Sequence, residues 1–294
     1  MSANSRSLEV RAALTGPPTA DIIRQTVMDS SPVKRNIKLV VAYNGAAYHG
    51  WQRQADGLDT IQQRLEEAAA RVVGHPVTVF GAGRTDAGVH AAGQVANFHT
   101  TNLAIPLRAL RRATNAKLPG DIAILSAVEA DEAFHASRSA TGKTYLYRIH
   151  VGPSRPVMLD KQVYHYWRGL DAERMRAGAS RLAGRHDFRG FATSAEVRRD
   201  TVRTIFRCEV AEAGPEILVT VTGDGFLYHM VRNIVGTLIE IARGHWGPER
   251  IEGVLASRDR RDAGPTAPPD GLTLLCVHYG PICPADGRSD GCKT

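Results

Sequence analysis

A glycine-rich stretch in the first third of the chain carries an arginine and an aspartate two residues apart, Arg84 and Asp86. Alternating apolar residues flank it, which predicts a loop between strands over residues 77–82 and 94–99. A rigid loop that carries this arginine and this aspartate can place a charged side chain beside a substrate. An aspartate followed by Ala-Gly is also typical of a turn whose carboxylate bonds its own backbone. On these residues alone, the turn is the favoured interpretation.

The glycines of this stretch limit the chemistry that it can support. Gly81, Gly83 and Gly88 predict backbone angles that residues with a side chain avoid. Gly-x-Gly could cradle phosphate, but no Gly-Lys-Ser/Thr follows and no helix opens here, so neither a P-loop nor a dinucleotide site is predicted. The eleven histidines are scattered and form no His-Glu-x-x-His. We therefore expect no cofactor and no metal.

Seven short blocks, spread over residues 36–279, follow one another along the chain. They are Tyr43-Asn44-Gly45 with Tyr48-His49-Gly50-Trp51-Gln52, Gly83-Arg84-Thr85-Asp86-Ala87-Gly88-Val89-His90-Ala91, Phe134-His135-Ala136, Lys143-Thr144-Tyr145-Leu146-Tyr147, Thr201-Val202-Arg203-Thr204-Ile205, His229-Met230-Val231-Arg232-Asn233-Ile234-Val235-Gly236 and Ala263-Gly264-Pro265-Thr266-Ala267-Pro268-Pro269. In content and order they resemble the tRNA pseudouridine synthase A (TruA) family. The resemblance covers nearly the whole chain.

The resemblance implies an isomerase that converts uridine to pseudouridine at positions 38–40 of the tRNA anticodon stem-loop. The N1–C1′ glycosidic bond breaks, the base turns, and C5 bonds to C1′, without a redox step or a phosphate donor. Asp86 is the implied catalytic aspartate, either as a nucleophile at C1′ or as the acceptor of a sugar proton. Arg232 is implied to pair with it. Tyr145 is implied to stack on the uracil, and a second implied role is the base that removes the C5 proton.

Three further residues are implied to contact the substrate. Arg84 is expected to enter the space that the target base leaves when it is taken out of the stack; tethering of the loop by this arginine is the alternative. His90 and Lys143 are weaker candidates for substrate binding. The resemblance also implies a homodimer with one tRNA lying across both subunits.

For the fold, the resemblance implies an α+β pseudouridine synthase fold, in which two related α+β halves share a largely antiparallel central sheet with a cleft between them. Periodicity predicts helices over residues 61–73, from residue 106, and over residues 171–182, 226–243 and 248–256. Gly152-Pro153-Ser154-Arg155-Pro156 marks a candidate boundary. The predicted organisation is a flexible extension over residues 1–34, halves over residues 35–152 and 153–280, and a flexible tail over residues 281–294.

Composition points to a polyanionic partner and to the cytoplasm. The chain has 294 residues and a formal charge of +7, which favours RNA as a partner. Arg108, Arg111, Arg112 and Lys117 form either a solvated helix face or a stripe that contacts the tRNA backbone. No apolar run reaches membrane-spanning length and no secretory signal is evident, so we expect no membrane contact. The four cysteines form no Cys-x-x-Cys, which predicts idle thiols.

Two segments permit a functional or a structural interpretation. Residues 48–54 mix aromatic, polar and basic side chains, which suits RNA contact or a packed Trp51 with a polar rim. His186-Asp187 is either a base with its orienting partner or part of a turn that packs Phe188.

Two other functions compete with the isomerase. The first is a catalytically silent RNA-binding protein on the same fold, against which the intact Asp86 argues. The second is a metal-dependent nucleotide hydrolase that uses His49, His90, His135 and Asp86. It predicts stoichiometric bound metal.

Overall fold

A ten-stranded sheet runs through residues 34–55, 57–193 and 200–282, which are the residues that a computed structural model of the chain describes. The strands are β1 Arg35–Tyr43, β2 Phe80–Gly81, β3 His90–Thr100, β4 Ile122–Ala130, β5 Gly142–Val151, β6 Tyr164–Tyr166, β7 Gly184–Asp187, β8 Val202–Ala213, β9 Glu216–Gly223 and β10 Leu272–His278. The β3–β10 and β5–β6 pairs are parallel and the other pairs in this sheet are antiparallel. The predicted α+β class with a largely antiparallel central sheet is confirmed.

The order of the strands interleaves distant parts of the chain. It runs β4-β1-β3-β10-β5-β9-β8-β7, with β2 on β3 and β6 on β5. The strand nearest the C-terminus therefore lies between two strands from the first half. β5 in turn pairs with β9 as well as β10. The division at residues 152/153 stays a prediction, and the predicted extension and tail lie almost wholly outside the described residues.

Helices cover parts of this sheet. They are α1 Ile61–Val73, α2 Leu107–Asn115, α3 Ala172–Ala179, α4 Met230–Ala242 and α5 Arg250–Ser257. α1 to α4 fall within the predicted helical segments, whereas α5 begins two residues later than predicted and ends one residue beyond its segment, at Ser257. Within the described ranges, no helix combines the length and hydrophobicity that crossing a membrane requires.

The ends of α1 follow its sequence. The Thr60 side chain accepts a hydrogen bond from the Gln63 N–H, and Gly74 ends the helix in the left-handed conformation. The buried face of α1 also contains two polar side chains, Gln62 and Glu66. Glu66 accepts from the Val79 N–H (3.0 Å), and Gln62 donates to the Val79 carbonyl (2.9 Å). Helix side chains thus replace a strand partner at Val79, which explains why the strand predicted over residues 77–82 shrinks to β2.

Two short strands were missed because their sequences lack a clear alternation of apolar and polar residues. β6 reads Tyr-His-Tyr and β7 reads Gly-Arg-His-Asp. The prediction of a turn at His186-Asp187 is wrong, since these residues pair with β8 at the edge of the sheet. Phe188 follows and is fully buried, as the structural interpretation expected.

The cysteines in the described residues differ in state. Cys208 is a free thiol on β8, and burial raises its pKa to about 12, so the thiol stays protonated and unreactive. Cys276 on β10 is disulfide-bonded. The prediction of idle thiols is therefore wrong for Cys276, whose pairing no local spacing motif announces.

Candidate active site

The loop between β2 and β3 is fixed by the segment that follows β1. The Trp51 N–H donates to the Thr85 carbonyl (3.0 Å), and the Tyr43 hydroxyl bonds the Thr85 hydroxyl at 2.9 Å. A Cβ on Gly45 would lie 2.0 Å from the Val89 carbonyl oxygen, so only glycine permits this approach. Asp86 is therefore carried by a loop whose backbone is held on both sides.

The three glycines predicted to need unusual backbone angles serve two purposes. Gly88 has a φ of 82°, as expected. Gly81 and Gly83 are not among the described glycines with positive φ. Their hydrogens instead make room for close neighbours, since an added Cβ would lie 2.5 Å from the Trp51 ring and 2.9 Å from Lys143 Cε, respectively.

Asp86 meets two side chains from the start of α4. Arg232 Nη1 donates to Asp86 Oδ2 at 2.9 Å. His229 Nε2 lies 3.4 Å from the same oxygen. The three side chains are 13–21% exposed, so the carboxylate faces a guanidinium in a partly desolvated setting. There, a charge-assisted hydrogen bond is stronger than one between neutral groups.

Arg232 is itself held by the proline-rich segment 263–269. Its Nε donates to the Ala267 carbonyl (2.7 Å), and the Ala267 N–H donates back to the Arg232 carbonyl (3.1 Å). Asn233, which is fully buried, accepts from the Thr266 hydroxyl at 2.7 Å. These bonds fix one end of the guanidinium and direct the other towards Asp86.

Tyr145 on β5 lies close to the carboxylate. Its ring is 7% exposed and packs edge-on against Phe226, with the centroids 5.1 Å apart. Burial raises the pKa of Tyr145 well above its usual value of 10, and the nearby Tyr43 and Asp86 add to the effect. The residue is therefore a neutral phenol at physiological pH.

A cleft of about 1450 Å³ connects these groups. Of the six site residues predicted from the sequence, five line it: Asp86, Tyr145, Arg232, Arg84 and Lys143. Arg84 is exposed on the loop, and no side chain in the described ranges pairs with it. Phe80, which is 39% exposed and contacts the His135 ring at 5.2 Å, also lines the cleft.

The structure does not bring His90 to this cleft. The ring is buried, its Nδ1 accepts from the Gly45 N–H (3.0 Å), and its Nε2 contacts the Asp270 carbonyl oxygen (3.2 Å). Burial lowers the pKa of His90, which keeps the ring neutral and suits it to this pair of bonds. Its observed contacts are with the protein backbone.

Residues 48–54 divide between the two interpretations. Tyr48 and Trp51 are buried, and the Tyr48 hydroxyl donates to Asp121 at 2.6 Å, so the aromatic side chains serve packing. His49, Gln52 and Gln54 line the cleft. Trp51 also borders the cleft although it is buried, and further aromatic rings of the cleft come from other segments, such as Phe80, Tyr145 and Phe226.

The residues of the metal-dependent alternative are not assembled into a site. In the parts of the chain that the structure describes, no group of three or more His, Cys, Asp or Glu side chains is placed to hold a metal ion. His90, one of the four proposed ligands, uses both ring nitrogens for contacts with the protein.

His229 is the site residue that the sequence analysis missed. It opens the block that contains Arg232, so its position beside Arg232 was the available signal. Together, an aspartate, a guanidinium, a neutral imidazole and a buried phenol converge on one end of a wide cleft. A carboxylate held in this way can attack a sugar carbon or stabilise positive charge on it.

Comparison with known proteins agrees with this geometry. A family model described as "tRNA pseudouridine synthase" matches residues 39–137 and 179–280. A tRNA pseudouridine synthase A from Geotalea uraniireducens is 45% identical over 83% of this chain and 100% of its own length. Clostridium perfringens tRNA pseudouridine synthase A 2 is 44% identical over 83% of this chain and 100% of its own length. A tRNA pseudouridine synthase A from Acinetobacter baumannii is 40% identical over 81% of this chain and 90% of its own length. The chain belongs to the tRNA pseudouridine synthase family of isomerases.

Proposed function

We propose that this chain isomerises uridine to pseudouridine at positions 38–40 of the tRNA anticodon stem-loop, in the cytoplasm, as a homodimer and without a cofactor. The observation that carries the proposal is the Asp86–Arg232 ion pair beside Tyr145 in the cleft. The names of the curated relatives support tRNA as the substrate. The stem-loop positions and the dimer rest on the family resemblance.

Asp86 supplies the carboxylate of the proposed reaction. Its oxygen acts on the sugar while the N1–C1′ bond breaks, and the bond between C5 and C1′ forms after the base has turned. Arg232 keeps a positive charge 2.9 Å from the carboxylate throughout. Its planar guanidinium can hold the carboxylate by a charge-assisted hydrogen bond while the sugar reacts.

Tyr145 forms one wall for the uracil. An aromatic ring held edge-on by Phe226 presents a fixed face for stacking. Because burial raises its pKa, the phenolate is scarcely populated, which favours the stacking role over that of a base.

Arg84 and Lys143 line the same cleft as Asp86, which supports their proposed contact with the RNA around the target base. Taking a base out of a stem costs a few kcal/mol. An exposed guanidinium on the rim of the cleft can stack in the space left behind and bond a phosphate at the same time. Arg108, Arg112 and Lys117 are exposed on and just after α2, which suits the proposed contact with the tRNA backbone.

A tritium-release assay on tRNA labelled at uracil C5 tests the proposal. We expect release by the wild type and no release by Asp86→Ala. Asp160→Ala removes the same charge from an exposed residue and should release tritium like the wild type. Tight tRNA binding without release by the wild type would favour the silent RNA-binding protein. Equal release by the wild type and Asp86→Ala would show that another residue is catalytic.

The positions and the dimer are tested separately. Replacing the uridines at tRNA positions 38, 39 and 40 by cytidine, all together, should abolish release from the labelled tRNA. Light scattering at micromolar concentration should give twice the mass of one chain. A monomer that remains fully active would contradict the proposed dimer.

A further inference from the structure

His229 occupies an unusual position at the start of α4. It directly precedes the helix and has a φ of 60°, in the left-handed region that residues with a side chain seldom adopt. The Tyr228 and His229 rings stack with centroids 3.8 Å apart. His229 Nδ1 lies 3.0 Å from the Thr193 hydroxyl, while Nε2 faces Asp86. Both edges of the imidazole are thus engaged.

The Arg232 guanidinium and the His229 ring both approach the same oxygen of the Asp86 carboxylate. Arg232 Nη1 (2.9 Å) and His229 Nε2 (3.4 Å) both approach Oδ2. Among the described residues, no hydrogen bond reaches the other oxygen, Oδ1. The two carboxylate oxygens therefore differ in their surroundings, although they are chemically equivalent in a free aspartate.

We propose that His229 is a positioning residue which, with Arg232, holds Asp86 by Oδ2 and leaves Oδ1 as the oxygen that reacts with the substrate sugar. This inference rests on the proposed function and adds to it the orientation of the carboxylate. The contact between His229 and Asp86 restricts the orientation of the carboxylate more than Arg232 alone does, because two groups that approach the same oxygen limit rotation of the carboxylate plane.

The protonation of the ring fits this role. Burial lowers the pKa of His229, and the nearby Arg232 and Arg260 lower it further, against the opposite effect of Asp86. The ring is therefore neutral at neutral pH. With its one proton on Nε2, the ring presents an N–H to Asp86 Oδ2 across 3.4 Å, while the Thr193 hydroxyl can donate to Nδ1. One tautomer satisfies both contacts.

Two substitutions separate this role from a purely structural one. In His229→Gln, the side-chain amide extends about as far as Nε2 and can still donate to Asp86; in His229→Asn, it extends only about as far as Nδ1. Asparagine, however, adopts the left-handed conformation more readily than glutamine. A donor role thus predicts that Gln is the more active variant, whereas a role in the backbone conformation predicts that Asn is.

The experiment is kcat and KM for tritium release from C5-labelled tRNA, with the unfolding free energy of each variant. We expect kcat of His229→Asn to lie about 10-fold below that of His229→Gln, as for loss of a hydrogen bond to a charged group, with similar KM values. An Asn variant at least as active as Gln would overturn the inference. No release by the wild type would instead refute the proposed function, so the two failures are distinguishable.

Thr193→Val decides the question if neither histidine variant folds. It leaves His229 and Asp86 in place and removes the donor to Nδ1. A kcat about 3-fold or more below that of the wild type, at unchanged KM, would support the positioning role. A wild-type kcat would overturn it.

Discussion

The ion pair between Asp86 and Arg232 should be strongly coupled, and a double-mutant cycle measures this directly. The cycle consists of Arg232→Met, Asp86→Asn and the two together. Methionine keeps much of the length of the arginine side chain, and asparagine keeps the shape of the aspartate. The single variants leave a partly buried charge without its partner, so each alone overstates the worth of the pair.

The geometry sets the expected size of the coupling. Two unit charges 2.9 Å apart attract by about 1.4 kcal/mol in bulk water and by about 6 kcal/mol at an effective dielectric constant of 20. The side chains are 13% and 21% exposed, which places the pair between these limits. Desolvation offsets part of the attraction. We expect a coupling of about 1.5–3 kcal/mol, the range for hydrogen bonds to charged groups.

Urea unfolding at pH 7 gives the four free energies. A surface pair of similar length, Arg181–Glu252 at 2.7 Å, provides the matched control, because its side chains are 37% and 56% exposed. The corresponding cycle with Arg181→Met and Glu252→Gln should give about 0.2–1 kcal/mol. A coupling for Asp86–Arg232 no larger than that of the control would refute the view that the site is desolvated enough to strengthen the pair.

Two further predictions concern the scaffold. Gly236→Ala should lower the free energy of unfolding by about 1–3 kcal/mol, measured by urea unfolding, because its Cβ would lie 1.7 Å from the Pro265 carbonyl oxygen. Gly253→Ala on α5, where no atom lies within 4 Å of the added Cβ, should be neutral or slightly stabilising, and equal losses would contradict the packing argument. The free energy of unfolding should also fall from pH 7 to pH 5. Burial lowers the pKa of His90 and His278 below 6.5, so the unfolded chain binds protons that the folded chain does not, and stability present above that pH is lost below it. A constant or rising value in urea unfolding across this range would contradict the assignment.

Local sequence patterns are sufficient to predict a structural feature where that feature depends on residues close together in the chain. The period of two in a strand puts Tyr145, Tyr147 and Ile149 of β5 on one face, and all three are buried. Thr60 and Gly74, residue types typical of helix ends, likewise cap the two ends of α1. These features depend on strand and helix periodicity and on capping, which a short window of sequence contains.

The site itself depends on contacts that no local pattern contains. Asp86 and Arg232 are 146 residues apart in the chain, and only the family resemblance connected them. His229 was missed because its direction is set by a left-handed backbone and by Thr193 and Asp86, which lie far from it in sequence. His90 stands in the most distinctive block, yet its contacts are with the backbone at Gly45 and Asp270.

The place of β10 in the sheet has a consequence for synthesis of the protein on the ribosome. β3 and β5 are translated well before the strand that lies between them, which is residues 272–278. Until that strand has emerged, the sheet cannot close between β3 and β5, and Tyr145 lacks its β10 partner, Leu274. A nascent or truncated chain that stops before residue 272 therefore lacks a formed site, and the site can assemble only after β10 has been translated.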